Sequence, residues 1–154
     1  MRMDSDEIKL CPQMYRYLRD EMPDCANISL IVNNLMAFGG MSQAQARNAL
    51  RWGSDPYVYA EDPRNHRCAN GHGHAKCCFD SSAFPNDIFV NLKDYNRFIA
   101  GTGMGFTASG LRVPIVGVAL LHALCHWGNF QNGVRESGEE GHRFELATYG
   151  RVIG

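Results

Sequence analysis

An α+β fold with one buried helix and a small sheet is what the 154-residue chain predicts. Three features say so: helix-spaced apolar positions near both ends, a β-rich segment at 87–93, and a nearly all-apolar stretch at 113–127. The length is close to the usual size of one domain, so 1–154 is read as a single unit with room for one enclosed site.

Met14, Leu18 and Met22 recur at spacing four between Pro12 and Pro23, which predicts a helix over 12–22. Residues 28–32, Ile-Ser-Leu-Ile-Val, suit a short strand or a helix. Ser42 and Gln45 form a capping-box pattern ahead of Ala46, Ala49 and Leu50, and Gly53 supplies a stop, so a second helix belongs there. The segment 54–84 is rich in Pro, Gly, Asn, Asp and His without an apolar period, and is expected to be a long irregular loop. Ile88, Phe89 and Val90 predict a strand, and Asp94 is placed to cap a short helix ending at Ile99. Four glycines between 101 and 110 predict a flexible connection. The apolar helix 113–127 is expected to stop at Gly128, followed by a loop and a last helix over 139–149.

Lys and Arg total 15 against 16 Asp and Glu, so no strong field draws nucleic acid or an anionic membrane to the surface. The longest apolar run, 113–121, is broken by Pro114 and Gly117 and is too short to span a bilayer. The first residues are polar and acidic, without the apolar stretch of a secretory signal. Six cysteines favour an oxidising compartment, with a disulfide from Cys68 to Cys77 or Cys78 closing a glycine-rich loop and Cys11 to Cys25 as a second bridge. Free buried thiols are the alternative. His66, Cys68, His72, His74, Cys77 and Cys78 crowd the same loop, but their spacing does not match the paired units of a structural zinc site.

The sharpest feature is His122-Ala-Leu-Cys-His126. Two histidines four apart on a helix project from one face and can meet one metal ion. In the motif His-Glu-x-x-His, the glutamate after the first histidine takes a proton from water while both histidines ligate. Ala123 occupies that position, so the ligating half is intact and the base is missing. Catalytic zinc usually takes three protein ligands, and the candidates for the third are Glu139, Glu140, His142 and Glu145. Glu140, three residues after Ser137, has a capping-box role, and Glu139 complements the helix dipole. Glu145 has no capping role and is preferred as third ligand, with Glu140 as the alternative.

His122-x-x-x-His126-Trp127-Gly128, Gly138-Glu-Glu-Gly141, Phe144-Glu145 and Tyr149-Gly150 together resemble the zincin-like metallopeptidase domains of bacterial polymorphic toxins, of the metallopeptidase toxin 3 type. The resemblance covers about the last forty residues, from Val113 onward. It implies a compact zincin fold with a buried active-site helix, zinc, hydrolysis of peptide or protein substrates, and a cognate immunity protein. It also implies delivery by a secretion system into a target cell, with the periplasm as one site of action. On that basis Ala123 replaces the general base and makes this form inactive, and alanine, the usual truncation, favours an engineered change over a natural non-catalytic relative. Tyr149 or His142 would assist as a donor. Phe89, Val90 and Asn91 would bind substrate along an edge strand, unless that strand is interior. A non-catalytic zinc-binding module and a disulfide-stapled interaction module are the competing functions.

Overall fold

Apolar residues spaced along one side of each helix converge on one buried cluster that contains Met14, Leu18, Leu35, Leu50, Val58, Ile88, Leu120, Leu124 and Phe144. The structure, a computed structural model, describes residues 1–61, 77–135 and 138–153, with only the backbone of Cys77 and Cys78. The Cys68–Cys77 pairing, the histidines at 66, 72 and 74, and the Ser137 cap therefore lie outside the described residues.

Helices α1 (Ser5–Leu10) and α2 (Pro12–Arg16) lead into a π-helical turn, Tyr17–Glu21, and a 3-10 turn, Met22–Asn27. The helical path thus runs past Pro23, which is accommodated in the first turn of the 3-10 segment where its missing N–H costs nothing. Residues 29–32 belong to a helix, α3 (Ser29–Gly39), with Ile28 extended at its N-cap, because Ile31, Val32 and Leu35 all bury on one stripe. The capping box holds: Ser42 and Gln45 exchange hydrogen bonds at the start of α4 (Gln43–Leu50).

Within the expected long loop lie two strands, β1 (Tyr57–Glu61) and β2 (Cys77–Phe79). Both pair with β3 (Asp87–Asn91), β1 in parallel and β2 antiparallel, in the order β1-β3-β2. The expectation of an edge strand at Phe89, Val90 and Asn91 is corrected: β3 is central, its neighbours take both sides, and Phe89 and Val90 are each 1% exposed. A strand buried on both faces reads as an unbroken apolar run, as Ile88-Phe89-Val90 does.

Helix α5 (Leu92–Ile99) is capped by Asn91, whose side chain accepts from the Lys93 amide, and Asp94 falls inside its first turn. The glycine-bearing connection contains β4 (Met104–Phe106), which pairs with β5 (Arg112–Pro114) in a separate hairpin. Helix α6 (Ile115–Gln131) starts after Pro114 and continues through Gly128. Gly128 is not a stop: a side chain there would collide with the Gly39 carbonyl and Met41, so its smallness lets α6 cross α3 closely. Helix α7 (Glu140–Tyr149) packs on α6 and α3, the latter through Asn34 Nδ2 donating to Thr148 Oγ1 at 2.9 Å. Seven helices and two small sheets make an α+β fold among the described residues. No helix there is long and apolar enough to cross a membrane.

Candidate metal centre

Helix α6 is buried along most of its length, which fixes His122 and His126 in place; they are 4% and 7% exposed. Their one-turn spacing brings the two Nε2 atoms to 3.3 Å. Nitrogens bound at about 2.0–2.1 Å to one tetrahedral zinc lie roughly 3.3–3.4 Å apart, so the pair has the separation that a shared ion requires.

The carboxylate facing both Nε2 atoms is Glu139. Its Oε2 lies 3.9 Å from Nε2 of His122 and 3.8 Å from Nε2 of His126. Glu139 is the residue at the start of α7, yet its side chain makes no capping hydrogen bond. Its Oε2 is buried and accepts no hydrogen bond. The Glu139 side chain as a whole is 41% exposed, but this covered oxygen has no donor, and a cation among the three groups would give it a partner. The donor set and the orphaned oxygen both fit a metal ion.

Glu145 occupies a different place from the one expected. Its Oε1 sits 2.7 Å from Nδ1 of His122, and its Oε2 accepts from the Ile153 amide at 2.7 Å. Glu145 thus meets the ring edge away from Nε2 with one oxygen and the Ile153 amide with the other, whereas Glu139 faces both Nε2 atoms. Glu140 accepts from Nη1 of Arg143 through both oxygens at 3.1 Å. Gly141 carries the close approach of α7 to α6, since a Cβ there would run into the His122 ring.

Ala123 follows His122 on α6, is 2% exposed and belongs to the apolar cluster. His142 stands edge-on to His122, ring centroids 5.4 Å apart. Tyr149 does not join this group; its ring packs on Phe144 and it lines an apolar cavity with Tyr17 and Cys25. Cys125 is buried on α6 with its thiol on the Leu121 carbonyl. Cys11, Cys25 and Cys125 are all free, which overturns the Cys11–Cys25 bridge.

His122 and His126 lie together as their spacing predicts, and the carboxylate beside them is Glu139, one of the four candidates, rather than the preferred Glu145. Two helix-borne imidazoles with a carboxylate from the next helix form the donor pattern of a zinc-peptidase centre. The metallopeptidase toxin 3 family model matches residues 7–150, and the chain belongs to that family. The match extends far upstream of the forty-residue resemblance and takes in helices α2 to α7 and the three-stranded sheet. No curated protein and no solved structure matches the chain.

Proposed function

We propose that the domain is the zinc-dependent peptidase module of a secreted toxin, with zinc held by Nε2 of His122, Nε2 of His126 and a carboxylate oxygen of Glu139. The observation that carries this is the buried, donorless Oε2 of Glu139 opposite two Nε2 atoms at tetrahedral separation. When bound, zinc supplies Lewis acidity toward water and toward the scissile carbonyl. The chain's own groups do the rest. Glu145, 2.7 Å from Nδ1 of His122, holds the ring with Nε2 turned toward His126 and Glu139. The 17-residue helix α6 holds both imidazoles at one spacing, so little ordering is needed on binding.

Position 123 is where the proton acceptor of such a site belongs, and Ala123 cannot fill that role. The present form is therefore a metal-binding but hydrolytically disarmed peptidase. Delivery into a target cell and neutralisation by an immunity protein go with the toxin family and remain part of this proposal. A second reading, a non-catalytic metal-binding module, draws on one observation: Ala123 packs within the apolar cluster, where an alanine is comfortable without any chemistry.

Metal analysis of purified protein tests the shared premise. About one zinc per chain is expected, with loss in His122→Ala, His126→Ala and Glu139→Ala. Stoichiometric zinc in His122→Ala would overturn the site.

A further inference from the structure

A cavity of about 290 Å³ opens between α3, α6, α7 and the β4–β5 hairpin, beside Val118, four residues ahead of His122. Its wall is almost entirely apolar, and no charged residue lines it. The phenols of Tyr17 and Tyr149 and the thiol of Cys25 are the exceptions of interest. Tyr17 is only 7% exposed, and its hydroxyl makes no hydrogen bond among the described residues. That hydroxyl rests against Gly117 in the cavity wall, where a Cβ would collide with it. The Tyr149 hydroxyl likewise has no hydrogen bond among the described residues, and it lies within electrostatic reach of both Tyr17 and Cys25.

Burial, and secondarily the neighbouring thiol of Cys25, pushes both phenols well above their ordinary range, so both hold their protons and act as donors. Both hydroxyls lack a protein acceptor, and an O–H set in an apolar wall gains a hydrogen bond from an acceptor carried by a bound molecule. A carboxylate is the wrong acceptor. The wall offers no cation, and the charge of Glu145 is felt at Tyr149. An apolar cavity of about 150 Å³ stays dry and takes one benzene, and ligand pockets begin at roughly 300 Å³. The size here suits about two rings.

We infer that this cavity is a binding site for a neutral, apolar small molecule carrying a carbonyl acceptor, with the carbonyl received by the Tyr17 and Tyr149 hydroxyls. The site uses none of His122, His126 and Glu139, so it stands or fails separately from the metal reading.

Benzophenone is a suitable probe for the whole chain, because it is a neutral two-ring ketone and attaches covalently to its surroundings on irradiation. Saturable binding is expected, with photo-attachment on peptides holding Cys25, Ile31 or Val118. Diphenylmethane, the same shape without the acceptor, should bind about 3- to 10-fold more weakly, the worth of one neutral hydrogen bond. The anionic 4-benzoylbenzoate should bind more than about tenfold more weakly than benzophenone. In the double variant Tyr17→Phe/Tyr149→Phe the preference for ketone over hydrocarbon should vanish. Attachment elsewhere, equal binding of ketone and hydrocarbon to the unaltered protein, or a preference that survives in the double variant would each overturn the inference. Should the double variant not fold, the attachment map and the ketone-to-hydrocarbon ratio on the unaltered chain still decide.

Discussion

Glu145 joins His122 to the end of the described chain: one carboxylate oxygen is 2.7 Å from Nδ1 of His122, and the other accepts from the Ile153 amide at 2.7 Å. Residue 145 is 4% exposed, so neither contact competes with bulk water. An orienting carboxylate behind a ligating histidine typically contributes 10- to 100-fold in metal affinity, so Glu145→Gln should weaken zinc by roughly that factor. Glu145→Ala should also lower the stability of the metal-free protein by about 1–3 kcal/mol, since the Ile153 amide loses its acceptor. Glu139→Ala should abolish tight zinc binding while leaving metal-free stability unchanged or slightly higher, because it removes a carboxylate oxygen that has no donor. Chelator competition and urea titration of all three variants separate the roles, and equal destabilisation by Glu139→Ala would argue against its assignment.

Gly141→Ala tests the contact between α7 and α6. A methyl at 141 has no room beside the His122 ring, so the helix or the ring must move. Overpacking of this kind costs about 1–3 kcal/mol, and displacement of His122 should weaken zinc at the same time. Thermal melts with and without zinc are the measurement; a wild-type zinc increment in a destabilised variant would place the strain away from the metal centre.

How far the sequence revealed this site depended on what periodicity can express. His122 and His126 were legible because helical spacing alone puts them on one face. Glu145 was legible as an inward-facing residue of α7, but spacing cannot say which ring nitrogen a carboxylate meets. Glu139 was a candidate that spacing could not rank: it sits at the helix boundary with φ −84° and ψ 80°, where side-chain direction follows the local turn rather than a repeat. The α+β class and the Ser42 cap followed from local chemistry. Strand β3 was recognised, but its central place was not, because β1 lay inside a polar stretch beginning at Asp55-Pro56 and sheet order is set by long-range pairing.

Cys11 predicts an alkaline loss of stability. Burial, reinforced by the Glu7 carboxylate beside it, pushes the thiol up to about 11 from an ordinary value of 9.0. The raised value means the folded state disfavours the thiolate. Its contribution is therefore complete below pH 9 and is lost as pH rises toward 11. Urea midpoints measured across this window should fall, and Cys11→Ala should fall less steeply. An unchanged slope in Cys11→Ala would assign the loss to other groups.

Ala123→Glu decides between a disarmed peptidase and a binding module. If zinc and its ligands are otherwise assembled, only the proton acceptor is absent, and such a group typically contributes about 10²- to 10⁴-fold in rate. The new carboxylate would stand next to a dication, which favours its ionised form near neutral pH. Its cost is space, because Ala123 is 2% exposed among apolar neighbours, and Ala123→Gln carries the same cost without basicity. Both variants should therefore lose similar stability, while only Ala123→Glu should gain chelator-sensitive cleavage of a broad peptide library and toxicity on expression in the cytoplasm or periplasm. If Ala123→Glu folds and binds zinc as tightly as the parent, yet cuts nothing and harms no cells, the peptidase reading gives way to the non-catalytic one.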